Sequence, residues 1–168
     1  MNLPGFGYNE RIAATGSRFM PQVEQSIEIE APAAAVFALL ADQPERMTEW
    51  WSLFERQERV TPPPTAVGSV SRYTFNLMGI RIKGEHQILQ LETPQHLVIK
   101  TLSGINGMFD FSLAETESGT RLTVLMAYTL PGSVLGNRIN QHTIEQQNER
   151  DLRAGLETLK GLVEREAQ

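Results

Sequence analysis

The sequence contains no cysteine. This excludes a disulfide scaffold, thiolate metal sites and a thiol nucleophile, and it leaves the redox compartment open. Histidine is scarce. His86, His96 and His142 show no metal-ligand spacing, so no metal site is expected. Positive charge is in deficit: 15 Lys and Arg stand against 20 Asp and Glu, a net charge of −5. That balance gives no electrostatic reason to expect nucleic acid or an anionic membrane as partner. No apolar run approaches the ~20 residues of a membrane span, so stable membrane insertion is not expected. The first residues lack the continuous apolar stretch of a secretory signal, which predicts a cytoplasmic protein. No GxSxG, Walker or dinucleotide-type glycine pattern is present, and Gly104-Ile105-Asn106-Gly107 reads as a turn, not a phosphate loop. No cofactor is expected. Acidic residues are scattered, with no obvious pair for acid–base work.

What is there is ordinary globular composition, 40% hydrophobic and 21% charged over 168 residues. The length suits one domain. A chain of this size buries roughly 70% of its unfolded surface and needs no covalent staple. Residues 1–21 read as a peripheral or mobile tail, with Phe6, Tyr8, Ile12, Phe19 and Met20 available to tack it onto the body or a second subunit. Residues 22–168 read as the domain proper.

Val23–Glu30 alternates, with Val23, Gln25, Ile27 and Ile29 on one face and Glu24, Ser26, Glu28 and Glu30 on the other, so a half-buried strand is predicted. Pro32 opens a short Ala-rich helix over Ala33–Ala41. Asp42-Gln43-Pro44 ends it and Pro44 opens a second one toward Trp50. From Leu53 to Leu130 the period is two. The runs Leu53–Thr61, Val67–Leu77, Ile80–Leu91, His96–Leu102, Asn106–Glu115 and Thr120–Leu130 are separated by Pro- and Gly-rich breaks, the pattern of an antiparallel meander. A long helical segment then runs to the C-terminus. Its apolar stripe is Leu152, Leu156, Leu159 and Val163, which share one face within about 40°.

The order of elements and several stretches resemble the START-like, helix-grip proteins, a group that includes polyketide cyclases and dehydratases and lipid-transfer domains. "IEIEAPAAAVFALLAD" at 27–42 is similar to the group's opening. "VGSVSRYTFNLMGIRIKGEHQILQLETPQHLVIKT" at 67–101 is similar to its central meander. "GTRLTVLMAYTLPG" at 119–132 and "LRAGLETLKGLVE" at 152–164 resemble its last strand and C-terminal helix. The resemblance implies an α+β fold: a seven-stranded curved antiparallel sheet around a long C-terminal helix, with two short helices after the first strand. It also implies an internal cavity for a hydrophobic or amphipathic small molecule. It carries no shared catalytic set, because fold and function separate in such groups.

The residues themselves then nominate a lining. Tyr73, Phe75, Phe109, Phe111, Met126 and Tyr128 lie on the apolar parity of their strands, where aromatic area and tyrosine hydroxyls suit a ligand, although the same residues suit a plain core. Asp110 is turned outward. His86 shares a parity with Ile80 and Ile82 and is the candidate acid–base or orienting group, if it is not simply a hydrogen-bonded histidine. The later Leu89 and Leu91 break that parity, which calls for a bulge near Gly84 or cover on both faces. His96, after a proline turn, is expected in solvent. Adjacent Trp50 and Trp51 are expected to diverge, one beneath the short helices and one at the cavity mouth. Projecting the helix stripe backwards gives Asn148, Glu145, Gln141 and Arg138. Either this half is solvated, with Leu135, Ile139 and Ile144 packing in another phase, or Arg138, Gln141 and Glu145 line a wet end of the cavity. Three functions are compatible with this pattern: a carrier or sequestering protein, a cyclase/dehydratase-type enzyme, and a co-chaperone-like interaction module. Oligomeric state stays open.

Overall fold

A computed structural model describes residues 22–129 and 140–168. The expectations for residues 1–21 and those for Val134, Leu135, Arg138 and Ile139 fall outside the described residues. Seven strands form one antiparallel sheet: β1 (Gln22–Ile29), β2 (Phe54–Arg59), β3 (Val70–Leu77), β4 (Ile80–Glu92), β5 (His96–Thr101), β6 (Asn106–Glu115) and β7 (Thr120–Thr129). Their order is β1-β7-β6-β5-β4-β3-β2. The last six strands are a simple meander, since short turns place sequence neighbours side by side. The first strand is the exception and pairs with the last, from Gln22 opposite Ala127 to Ile29 opposite Thr120.

That pairing leaves β1 and β2 on opposite edges of the sheet. The chain crosses between them through α1 (Ala33–Ala41), a 3₁₀ turn (Pro44–Arg46) and α2 (Met47–Trp50). Pro32 stands at the N-cap of α1 in extended conformation and Pro44 is the first residue of the 3₁₀ turn. Both positions tolerate a residue without an N–H. The break predicted at Pro44 is present.

The long helix α3 (Gln141–Glu166) lies along the inner face. The side chain of Asn140 caps it by accepting the His142 N–H at 2.9 Å, which satisfies one of the free donors of the first turn. Leu152, Leu156, Leu159 and Val163 are all buried as predicted. Asn148 continues that face backwards, Ile144 packs beside it in another phase, and both are buried. Polar contacts fix the helix against the edge strand: Lys160 Nζ donates to the Glu28 carbonyl at 2.7 Å, and the Glu30 N–H donates to Glu164 at 2.8 Å. Arg46 bridges Glu49 and Glu166, an exposed network worth little by itself. The larger share of the stabilisation is apolar area removed from water along the stripe.

Two sequence expectations give way to the structure. His96 is not in solvent; it is half-buried, with Nε2 2.8 Å from Asp110 Oδ1. Asp110 does face outward, opposite Leu125 and Val98, but these neighbours on the outer face bury it. The phase change in β4 is a bulge between Ile88 and Gln90, not at Gly84. The bulge leaves Leu89 exposed.

Gly155 lets α3 approach the end of α2. A Cβ there would stand 2.7 Å from the Trp50 carbonyl oxygen and 3.4 Å from the Trp51 Cα. Gly161, two turns on, would meet only the flexible end of Arg165, at 3.2 Å. Gly155→Ala should therefore destabilise the fold by ~1–3 kcal/mol through overpacking. Gly161→Ala should stabilise it by up to ~1 kcal/mol through helix propensity. Urea denaturation of both variants checks this, and equal shifts of the same sign would refute the close approach.

Candidate functional site

The inner face of the sheet carries a train of rings. Along β3 the inward residues are Ser71, Tyr73, Phe75 and Leu77, all buried. Tyr73 stacks on Phe75 with centroids 4.0 Å apart and on His86 at 5.8 Å. Phe75 meets Phe54 edge-on at 4.7 Å, and Phe109 lies within 6.0 Å of both. Trp51 closes the cluster with its edge on Phe109 at 5.6 Å. Offset and edge-to-face contacts of this kind add to area burial.

Trp50 and Trp51 do not diverge. Both are buried, at 3% and 1% exposure, and their indoles stack at 5.4 Å. The reason is local: Trp50 ends α2 while Trp51 is already extended, with φ −119° and ψ 107°. The side-chain alternation of a continuous strand does not apply across that junction. Neither indole N–H has a hydrogen-bond partner among the described residues. A buried donor in that state favours any acceptor that reaches it.

Two small voids flank the ring train. The first, about 20 Å³, is lined by Ser71, His86, Leu97 and Ile99 on the sheet and by Leu40, Ala41 and Pro44 of the crossing segment. The second, about 10 Å³, is lined by Leu53, Phe75, Leu77, Ile105, Gly107, Phe109, Met126, Tyr128 and Asn148. Each has room for about one water.

His86 is 4% exposed, and its Nε2 stands 3.0 Å from Gln57 Oε1. A carbonyl oxygen only accepts, so Nε2 carries the proton. Burial pushes the imidazole down to about 4, which keeps it neutral near pH 7. At the other void Asn148 Nδ2 donates to the Tyr128 hydroxyl at 2.9 Å. Burial raises the Tyr128 phenol above its ordinary value; the Asn148 bond opposes this and the Glu145 charge adds to it. Tyr73 is raised by burial as well, against an opposing bond from the Ile105 N–H.

Phe75, Phe109, Met126 and Tyr128, nominated from strand parity, therefore meet at one end of the interior. His86 lies at the other end, with the Tyr73 ring between them. Phe111 is fully buried but lines neither void. Glu145 is half-buried and lines a surface groove of about 250 Å³ with Gln22, Glu24, His142 and Glu149. Gln141 opens α3; its side chain, like Arg138, lies outside what is described. The residues nominated from the sequence left out Leu53, Ile105, Gln57 and Asn148. For Asn148 the signal was available, because the projected helix stripe runs through it. Among the described residues no group of three or more His, Asp or Glu is arranged to hold a metal ion. No described helix is long and apolar enough to cross a membrane.

The family profile "Polyketide cyclase / dehydrase and lipid transport" matches residues 20–164. No curated protein sequence matches the chain. Solved structures do. A Thermus thermophilus protein, TTHA0849, is 17% identical, with a TM-score of 0.72 over 88% of this chain and 100% of its own. The Zhui aromatase/cyclase of Streptomyces sp. R1128 is 15% identical, with a TM-score of 0.71 over 89% and 97%. A START superfamily protein from Mycobacterium smegmatis is 13% identical, with a TM-score of 0.69 over 86% and 97%. At such identities the likeness is one of fold.

The buried His86 makes stability depend on pH. The folded imidazole titrates at about 4 against 6.5 for the free group. Between those values the unfolded chain binds a proton that the folded chain refuses. The stabilising effect is thus complete above pH 6.5 and is lost as pH falls toward 4, by roughly 3 kcal/mol in all. His86→Gln should lack this component. Urea midpoints at pH 7 and pH 4.5 should fall further for the wild type than for the variant, and parallel losses would refute it.

Proposed function

The chain belongs to the polyketide cyclase/dehydrase and lipid transport family, and from that premise we propose that it binds an amphipathic small molecule as a carrier. The ligand's apolar body lies against Phe75, Phe109 and Met126 and its polar head meets Tyr128. The observation that carries this reading is the make-up of that end: of nine lining residues, the polar side chains are Tyr128 and Asn148, and they are bonded to each other. Asn148 occupies an acceptor site of the hydroxyl and so directs the phenolic proton elsewhere, toward an acceptor on the ligand. Affinity comes from area, about 25 cal/mol per Å² buried, and orientation from the hydroxyl.

A cyclase-type reaction would need a group that exchanges protons near neutral pH. The one buried histidine, held near 4 and bonded to Gln57, is poorly matched to that task. This favours binding over catalysis. The voids are smaller than any such ligand, so binding entails movement of the rings that hold no hydrogen bond, Phe75 and Phe109 first.

A matched pair of probes tests the assignment. 2-Acetylnaphthalene carries an acceptor oxygen that 2-ethylnaphthalene lacks. Quenching of the Trp50 and Trp51 fluorescence should show the wild type preferring the acetyl compound about tenfold, the worth of one hydrogen bond. Tyr128→Phe should erase the preference and leave the ethyl compound's affinity unchanged. Failure of the wild type to bind either probe, or a preference that survives the substitution, would count against it.

A further inference from the structure

Tyr73 occupies the strand position between the two voids. On the inner face of β3 it follows Ser71, which lines the first, and precedes Phe75, which lines the second. Its ring lies in the stack between His86 and Phe75. Unlike Phe75 it is clamped. The hydroxyl donates to the Ser103 carbonyl at 2.5 Å and accepts the Ile105 N–H at 3.1 Å. To reach that turn it passes over Gly84, its partner on β4. A Cβ at Gly84 would stand 2.5 Å from the hydroxyl and 2.2 Å from the Ser103 oxygen. Gly104, at φ +83°, would also meet the hydroxyl at 2.5 Å. Two glycines thus clear a seat for one oxygen. Thr101 holds the base of the same turn by bonding both the N–H and the carbonyl of Gly107.

We propose that Tyr73 is the specificity-determining partition of the interior. Its clamped ring divides the hollow and sets the length of ligand that the Phe75–Tyr128 end accepts. The inference rests on the ligand-binding reading above. It follows from a contrast in restraint. Phe75 and Phe109 are held by ring contacts that a ligand can replace with its own. Displacing Tyr73 would break its bond to the Ser103 carbonyl and strip the buried Ile105 N–H of its partner, and the latter leaves a desolvated donor unpaired. A ligand therefore stops at Tyr73. Behind it the void beside His86, Ser71, Leu97 and Ile99 stays closed to the apolar body.

The test uses saturated fatty acids of increasing length as probes, with affinity read from Trp fluorescence. In the wild type affinity should climb about fourfold per added methylene and then level off once the chain meets the ring. In Tyr73→Phe, which keeps the ring and loses the clamp, and in Tyr73→Ala, the climb should continue beyond that length. A break at the same length in all three proteins overturns the proposal. A break moved in Tyr73→Ala alone overturns the role of the hydroxyl.

If the wild type binds no member of the series, the ligand-binding reading itself fails. The partition is then judged by small aromatics, which enter apolar cavities of about 150 Å³. Toluene should raise the Tm of Tyr73→Ala and not of the wild type, and p-cresol, which restores the hydroxyl, should raise it further. Should Tyr73→Ala not fold, Tyr73→Leu takes its place in the same measurement. No rise with either compound overturns the partition.

Discussion

The hydrogen-bonded pairing of β1 with β7 is the constraint on which the remaining architecture depends. A six-stranded meander alone would begin and end at free edges. Because β1 pairs beside the last strand, the chain that leaves it must reach the far edge, where β2 lies, and the route runs over the open side of the sheet. The crossing segment has to be short and apolar on one side, and Ala33–Trp50 is both. The same pairing gives α3 a continuous wall to lie against, with Glu28 of β1 and Glu30, the residue after the strand, bonded to its last turns. The concave face, α3 and the crossing segment then enclose one space. How that space is filled decides what the site can do.

It is filled mainly by rings, with few polar atoms, and desolvation governs those few. The His86 imidazole is kept neutral, the two tyrosine phenols are kept protonated, and each has a hydrogen-bond partner from the protein. An interior of this kind presents an uncharged surface at neutral pH. The two tyrosines differ in what their oxygens are committed to. The Tyr73 hydroxyl gives and takes with the backbone of one turn. Among the described residues the Tyr128 hydroxyl accepts from Asn148 and donates to none. In the proposed reading, two residues alike in burial and in strand parity therefore do different work, one as wall and one as contact.

Much of the fold was legible because its signals are local. Alternation in Val23–Glu30 and in the six later runs is imposed by a sheet with one buried face, and proline marks the helix starts because a missing N–H is harmless there. The stripe of leucines in α3 is a periodicity of the same sort. The site was legible to the extent that it repeats those periodicities: Phe75, Phe109, Met126 and Tyr128 share the inward parity and meet. Where the local rule stops, the reading failed. Trp50 and Trp51 straddle a helix end, so alternation does not apply to them. His96 was assigned to solvent from its turn, and its burial comes from Asp110 on the neighbouring strand. The bulge at Leu89 reflects the register with β5 and has no glycine to announce it.

The sequence by itself therefore determined which residues of the regular strands face inward, how many strands form and where the two short helices start, since each follows from backbone periodicity and turn chemistry within a few residues. Only the tertiary structure decided which inward residues share a void, that Tyr73 separates His86 from Tyr128, and that Gly84 and Gly104 make room for one hydroxyl. Those facts arise between strands dozens of residues apart, where close packing and the need to satisfy every buried polar atom choose among side chains that look equivalent along the chain.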